Sequence, residues 1–320
     1  MKKRAVSLLL ATLAVVSFIL PALAAPLPEL EPEEVVEESV ETEEQSSIML
    51  DGEPVQSVEY EFRDGVCYVT VNSFVSLLDP EAMVEEEYGM VTVNASHVIE
   101  VVDMTQDGEF SAELDAEAEP TANVVEETLN LTAFIGASCI VANGRYLYVP
   151  DQVQAGYTPE GDLASALVPV RTLAKALGAS VSWEDGAVQI SSNGEPLIPG
   201  DQFYDQDALF LLSHIIYNES GNQPMTGKIA VGNVLLNRVK HPSFPNTLYE
   251  VIYQPGQFYP ESTGAMEKTP NSGSIIAAKL CLEGAMVLPN AYWFNGVGRS
   301  CWASRNKECI AVIGGHAFYG

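Results

Sequence analysis

The sequence predicts a two-domain α+β protein, in which a strand–helix–strand repeat module precedes a mostly helical C-terminal domain. The chain has 320 residues, which fits two domains of ordinary size after a leader. Short alternating strand patterns occupy residues 47–192, whereas apolar residues recur at helical spacing from Asp205 onward. Glycine and proline are frequent in Ser191–Gly200. We therefore expect a domain boundary there, with the second domain at residues 201–320.

Residues 1–24 have the features of a secretory signal. Basic residues at positions 2–4 precede an apolar run from Ala5 to Leu20, and small residues at Ala22 and Ala24 suit a signal peptidase. The run is short for a membrane span, so an uncleaved anchor is the less favoured alternative. We expect cleavage after Ala24 and a secreted, soluble mature protein at the cell wall, with a spore location left open.

Most of the formal net charge of −29 lies in the first 200 residues, because residues 201–320 contain eight Lys and Arg against nine Asp and Glu. Two acidic stretches, residues 25–46 and the insertion 103–128, lack apolar periodicity and are predicted to be disordered. Phosphate binding needs clustered Lys and Arg, so the composition argues against a nucleic-acid partner.

Five cysteines are present, and an odd number outside the cell leaves at least one free or intermolecularly bonded thiol. Cys301 and Cys309 are close enough in sequence to close a small loop. Neither CxxC nor Cys/His ligand spacing occurs, so we expect no metal site. No cofactor is expected either.

The predicted module contains a weak internal repeat of strand, helix and two strands. A hairpin over Val58–Val71, turning at Arg63–Gly65, leads into a helix, and the segment Tyr68–Phe74 aligns with Leu167–Leu173. The predicted helices are Asn72–Leu78 and Arg171–Leu177, and the later strands are Met90–Val93, Ser180–Trp183 and Ala187–Ile190.

Four segments of this region resemble the copper amine oxidase N-terminal-like domain. They are Asn143–Val149, Leu167–Arg171, Ala176–Ala179 and Val181–Trp183. The resemblance covers about Ser47–Ser192, with a degenerate first copy, and implies an α+β binding or spacing module whose ligand is unknown. It implies no copper site, because His97 is the one histidine in this stretch.

The C-terminal domain is predicted to contain four helices. The first is capped by Asp205 or Asp207 and carries an apolar stripe that includes Leu212, Ile215 and Ile216. The others are Thr226–Val239, a short helix from the cap Asn246 to Tyr253, and Ser272–Glu283 with the cap Asn271.

Glu219 continues the stripe of Leu212, Ile215 and Ile216, from which it is seven, four and three residues away. Residues Ser220–Pro224 then break the helix and are expected to open a groove. Position alone favours an ordinary solvated carboxylate, since glutamate is rarely buried without a partner.

The segments around Glu219 resemble the SleB-type cell-wall hydrolase family over about Asp207–Gly320. The matching segments are Tyr217–Ser220, Ala230–Val239, Phe244–Leu248, Val251–Phe258, Tyr292–Asn295 and Ile313–Tyr319. The resemblance implies a compact, mostly helical fold similar to lysozyme and lytic transglycosylases, with Glu219 as the catalytic acid. The chain departs from the family at Ser220, where alanine is usual, in the proline-free stretch Gly296–Cys301, and in lacking a helical peptidoglycan-binding repeat.

Glycosidic cleavage requires an acid that stays protonated near neutral pH, and apolar surroundings raise a glutamate pKa accordingly. A hydrolase normally needs a second carboxylate. Glu250 lies on an amphipathic helix, however, and Glu261 and Glu267 lie in a loop. A lytic transglycosylase needs only one, because the muramic acid C6 hydroxyl attacks C1. The sequence therefore predicts a secreted lytic transglycosylase that cuts the MurNAc–GlcNAc bond of peptidoglycan, using Glu219 as acid and base. The alternatives are a hydrolytic muramidase or glucosaminidase, and a non-catalytic cell-wall-binding protein.

Sugar-binding grooves combine polar groups with apolar walls. The predicted substrate-binding residues are Tyr217, Gln257, Phe258, Tyr259, Trp293 and Asn295. Core packing accounts for Trp293 as well as substrate binding does, and Asn237 is as well suited to hold a helix junction as to contact substrate. A lone histidine near a chain end, such as His316, is more often structural than catalytic. Cys301 before Trp302 is similar to a papain-type motif, but only 19 residues follow it, so a cysteine peptidase is not expected.

Overall fold

The computed structural model describes residues 47–101, 123–157, 163–258 and 260–320. The predicted signal, the first acidic linker and most of the predicted insertion lie outside these residues. The described chain from Ser47 to Gly320 belongs to one compact unit. Within these ranges, no helix has the length and apolar character needed to cross a membrane.

The described residues of the N-terminal part, which spans 47–192, form strands and two short helices. The strands are β1 Ser47–Leu50, β2 Glu53–Val55, β3 Tyr60–Arg63, β4 Val66–Thr70, β5 Met83–Glu87, β6 Met90–Val101, β7 Asn123–Phe134, β8 Cys139–Ala142, β9 Arg145–Tyr148, β10 Gln154–Tyr157, β11 Leu163–Pro169, β12 Ser180–Glu184 and β13 Ala187–Ser191. The helices are α1 Val71–Leu78 and α2 Val170–Ala176.

The predicted repeat is confirmed, because α1 follows β4 and α2 follows β11 at the aligned positions Val71 and Val170. The two copies interlock. Strands β4 and β11 pair antiparallel in the sheet β10-β11-β4-β3, and β1 pairs parallel with β13 in the sheet β12-β13-β1-β2. Each helix buries its apolar side in a shared core that includes Phe74 and Leu173.

The predicted disorder of residues 103–128 is wrong at its C-terminal edge. Strand β7 begins at Asn123 and pairs with β6 in register from Val101↔Asn123 onward. The acidic composition does not indicate this strand, because the strand forms by pairing with a segment that ends about twenty residues earlier in the sequence. The remaining sheet has the order β5-β6-β7-β8-β9.

The C-terminal part, residues 200–320, is built mainly of helices. These are α3 Gly200–Phe203, α4 Gln206–Ser220, α5 Met225–Lys240, α6 Leu248–Ile252, α7 Pro260–Thr263, α8 Ser272–Leu282 and α9 Trp302–Asn306, with a 3-10 turn at Ala265–Glu267. A small sheet of order β14-β16-β15 closes this part, with β14 Trp293–Gly296, β15 Cys309–Ile313 and β16 His316–Tyr319. The predicted helices are present, whereas the sequence did not predict this sheet.

Side-chain caps fix where α4, α6 and α8 begin. Asp205, rather than Asp207, caps α4, and its Oδ1 accepts from the Ala208 amide at 2.8 Å. Asn271 caps α8 as predicted. The predicted cap Asn246 is wrong by one residue, because the Thr247 hydroxyl accepts from the Glu250 amide at 3.2 Å, and α6 ends at Ile252.

Helices α4, α5 and α8 pack closely around the C-terminal core, which contains Leu212, Ile216, Val234 and Leu280. Gly232 permits this approach, since a Cβ at that position would lie 2.5 Å from the Cys281 Sγ. All five cysteines are free thiols, so the loop that Cys301 and Cys309 could close is not closed by a disulfide.

Candidate active site

Glu219 lies one residue before the end of α4, where the apolar stripe of the helix leaves the core. Leu212, Ile215 and Ile216 are fully buried beneath it. Ser220 is also fully buried, and its hydroxyl donates to the Ile216 carbonyl at 2.8 Å. The serine at this position, where the resembled family has alanine, therefore leaves no buried polar group unsatisfied.

The surroundings of Glu219 favour its protonated form. Burial raises the pKa of its carboxyl group, because a charge is poorly solvated there. A hydrogen bond from Asn218 Nδ2 to Glu219 Oε1, 2.9 Å long, and the positive charge of Lys268 oppose this effect without cancelling it. Glu219 thus holds its proton to a higher pH than an ordinary glutamate, as general acid catalysis requires.

An open groove of about 620 Å³ lies beside Glu219. Its residues come from α4, α5, α7, the α6–α7 loop, and the C-terminal sheet with its flanking loops. Its lining consists of Glu219, Arg238, Gly256, Gln257, Phe258, Thr263, Phe294, Asn295, Gly296, Val297, Arg299, Gly315 and His316. Within this lining, which omits the undescribed residue 259, Glu219 is the sole carboxylate. The predicted groove next to this helix end is present.

Three of the predicted substrate-binding residues, Gln257, Phe258 and Asn295, line the groove together with Glu219. Tyr217 and Trp293 are not among the lining residues. Tyr259 lies outside the described residues.

Trp293 belongs instead to an aromatic cluster. Its ring lies 5.7 Å from those of Phe244 and Trp302, and the Lys307 Nζ lies 4.5 Å from its centre. The packing alternative therefore describes Trp293 better, while its neighbour Phe294 faces the groove.

Arg238 is a groove residue that the sequence analysis missed. Its side chain is almost completely buried, its Nε donates to the Tyr292 carbonyl at 2.7 Å, and its Nη1 donates to Gln257 Oε1 at 2.8 Å. Burial lowers the pKa of the guanidinium to about 10, so it remains cationic at neutral pH. Arg238 holds Gln257 against the strand that carries Phe294 and places a positive charge in the groove.

Two buried asparagines of α5 position the chain that leads into β14. Asn233 Nδ2 donates to the Ala285 carbonyl and its Oδ1 accepts from the Val287 amide, both at 2.8 Å. Asn237 donates to the Leu288 and Ala291 carbonyls at 2.9 and 3.0 Å. Asn237 therefore secures a junction, the alternative that the sequence left open.

His316, for which the sequence favours a structural role, lines the groove. Burial lowers the pKa of its imidazole, which is therefore neutral near pH 7. Its Nδ1 is buried and has no hydrogen-bond partner, and its ring packs edge-on against Phe294 at 5.4 Å. A single histidine near the end of the sequence does not by itself indicate a position in the groove.

The groove therefore joins one proton donor to amide, guanidinium and aromatic groups, which suits acid-catalysed chemistry on a polar substrate. Among the described residues, no group of three or more His, Cys, Asp or Glu side chains is arranged to hold a metal ion.

Residues 222–319 match the family model described as Cell Wall Hydrolase, a range that begins just after Glu219. A spore cortex-lytic enzyme of Bacillus cereus is 36% identical over 117 residues, which are 36% of this chain and 45% of that protein. A spore cortex-lytic enzyme of Oceanobacillus iheyensis is 31% identical over 143 residues, covering 44% of this chain and 49% of that protein. The chain thus spans about half the length of the curated relatives it matches.

The catalytic domain of the Bacillus cereus SleB protein, known from a crystal structure, is 30% identical in sequence to this chain. The match covers 40% of this chain and 99% of that domain, with a TM-score of 0.35. By sequence, the C-terminal part carries a cell wall hydrolase domain and is similar to spore cortex-lytic enzymes.

Proposed function

We propose that this chain is a lytic transglycosylase that cleaves the MurNAc–GlcNAc bond of peptidoglycan, with Glu219 as general acid and then general base. The observation that carries the proposal is a largely buried Glu219 with a raised pKa, which is the sole carboxylate among the described residues of its groove. Similarity to the cell wall hydrolase family supports peptidoglycan as the substrate.

In the proposed reaction, protonated Glu219 donates its proton to the glycosidic oxygen while the bond from C1 of MurNAc to that oxygen breaks. The leaving sugar departs with a free hydroxyl. The Glu219 carboxylate then accepts the proton of the MurNAc C6 hydroxyl as the oxygen of that hydroxyl bonds to C1. The product is a 1,6-anhydro end, and Glu219 is again protonated, so one carboxyl group serves both steps.

The other groove residues are proposed to bind the glycan. The amides of Gln257 and Asn295 can hydrogen-bond hydroxyl and N-acetyl groups, and Phe258 and Phe294 supply apolar surface. Arg238 and His316 add donors to this set.

We propose that the chain acts outside the cell, on the wall or the spore, and that the N-terminal part binds or spaces the enzyme.

Hydrolysis is the second candidate, and the observation that favours it is His316. A water nucleophile needs a base, and a neutral imidazole in the same groove as Glu219 could serve as one. In that case water rather than the C6 hydroxyl would attack C1.

Glu219→Gln tests the role of the acid. The amide has nearly the same shape but no acidic proton, so cleavage of purified peptidoglycan should fall by at least ~10²–10⁴-fold. The matched control is Glu308→Gln, which makes the same change at an exposed residue that is not among those lining the groove, and should keep wild-type activity. Wild-type activity in a folded Glu219→Gln protein would remove Glu219 from the mechanism.

A further inference from the structure

Two polar side chains link the solvent to Glu219. Lys268 follows the 3-10 turn and is exposed, and its Nζ donates to Asn218 Oδ1 at 2.7 Å. The other end of the Asn218 amide, Nδ2, donates to Glu219 Oε1 at 2.9 Å. A cation, an amide and the carboxyl group thus form one hydrogen-bonded chain that enters the site from the side of Lys268.

The chemistry of the two partners determines the orientation of the amide. A lysine ammonium has three donors and no acceptor, so the atom of Asn218 that faces it must be the oxygen. The amide NH2 group must then face Glu219, where it needs an oxygen lone pair. In a protonated carboxyl group, the oxygen that accepts such a bond is the carbonyl-like one, and the proton resides on the other oxygen.

We propose that Lys268 is a positioning residue that acts through Asn218, fixing Glu219 with Oε1 as the acceptor and Oε2 as the oxygen that carries the transferable proton. This proposal rests on the proposed role of Glu219 as the acid. Lys268 and Asn218 are not among the residues that line the groove, so they act on Glu219 rather than on substrate.

The same chain adjusts how tightly the proton is held. Burial raises the pKa of Glu219, and the Asn218 hydrogen bond and the Lys268 charge lower it. Burial alone would favour the protonated form of Glu219 over the carboxylate, which must later act as a base. The pair therefore keeps both forms of Glu219 accessible during one catalytic cycle.

Other charged and titratable groups surround α4, and among them the charge of Lys268 lowers the pKa of Glu219. Arg238, Arg299 and His316 share the groove. The elements packed against α4 are α5, α6, α8 and the 3-10 turn, and their further groups are Lys228, Lys240, Tyr249, Glu250, Glu267, Lys279 and Cys281.

The test compares Lys268→Met, Lys268→Arg and Lys240→Met in the full chain, with kcat and KM measured against pH on soluble glycan strands. Loss of the Lys268 charge should move the alkaline limb of kcat/KM to higher pH by about half a pH unit, since the acid then stays protonated longer. Loss of the fixed amide should lower kcat about fivefold, the effect of one hydrogen bond, with KM unchanged. Lys268→Arg keeps a cationic donor and should retain the wild-type profile. Lys240→Met makes the same charge change on an exposed side chain away from the groove and should also match wild type.

A second variant, Asn218→Leu, removes the link itself. It should shift the alkaline limb in the same direction as Lys268→Met and lower kcat, and the double variant should lower kcat little further, because either change alone already releases the fixed amide. A Lys268→Met profile superimposed on those of wild type and Lys268→Arg would overturn the proposal. If Glu219→Gln is inactive in the same assays, that outcome leaves the proposed function standing, whereas an active Glu219→Gln protein overturns both.

Discussion

Replacing Arg145 by Met should destabilise the chain by about 3 kcal/mol, because Arg145 joins the N-terminal and C-terminal parts through a buried ion pair. Its Nε and Nη2 both bond to the carboxylate of Glu283, the Nη2 bond being 2.7 Å long, and the two side chains are only 5% and 2% exposed. The guanidinium also donates to the Ile198 carbonyl at 3.1 Å and lies 3.2 Å from the ring centre of Phe203.

The magnitude follows from what Glu283 would keep after the change. Removing one partner of a buried pair typically costs about 3–5 kcal/mol, since the other charge is left without compensation. Here Lys175, which is half exposed, lies 3.1 Å from Glu283, and the Tyr204 hydroxyl donates to it at 3.1 Å. These two groups keep Glu283 partly paired, which places the expected loss at the lower end of that range.

Thermal and urea unfolding of the full chain measure this loss, and about 3 kcal/mol corresponds to a decrease in Tm of roughly 6–12 °C at this size. The matched control is Arg63→Met. Arg63 pairs with Glu61, and both side chains are about 40% exposed, so its loss should cost at most ~1 kcal/mol. A loss for Arg145→Met no larger than that for Arg63→Met would show that the two parts are not held together by this pair.

Two further predictions concern stability and the groove. Burial opposes ionisation of Glu283, but the hydrogen bonds from Arg145 and Lys175 outweigh it, so the pKa of Glu283 in the folded chain is lowered. The ionised carboxylate therefore stabilises the folded chain fully at pH values above 4.5, the ordinary pKa of a glutamate. This stabilisation is lost as the pH falls through the lowered pKa of Glu283 in the folded chain. The Tm of the wild type should therefore fall more steeply below pH 4.5 than the Tm of Glu283→Gln, and parallel plots of Tm against pH would contradict this. Asn233→Ala should cost about 2–3 kcal/mol in the free energy of unfolding and reduce glycan cleavage, because three hydrogen bonds that hold the chain before β14 are lost. Unfolding curves and cleavage assays equal to wild type would show that these bonds do not shape the groove.

Local rules were sufficient for the elements that position Glu219. Its three-, four- and seven-residue spacing from Ile216, Ile215 and Leu212 places it on the buried stripe of α4, and the helix ends one residue later, which leaves Glu219 beside the groove. The strand–helix repeat was also predictable, because both copies carry the same apolar order.

Long-range contacts explain what the sequence analysis missed. Strand β14 pairs with β16 more than twenty residues later, with Trp293↔Tyr319 in register, and local patterns do not specify such a partner. Arg238 is buried because its acceptors lie on Tyr292 and Gln257, far along the chain. His316 reaches the groove only once β16 is paired with β14, which sets it opposite Gly296.

Mass spectrometry of the fragments released from purified peptidoglycan by the full chain tests the proposed reaction most directly. With one carboxyl group among the described residues of the groove and the sugar's own hydroxyl as the nucleophile, the effective concentration of that hydroxyl can reach ~10⁵ M or more. The fragments should therefore end in 1,6-anhydro-muramic acid, lighter by one water than a hydrolysis product, and resist borohydride reduction. Reducible muramic acid ends would show that water attacks and would make His316 the first residue to replace, and reducible N-acetylglucosamine ends would contradict the proposed bond itself.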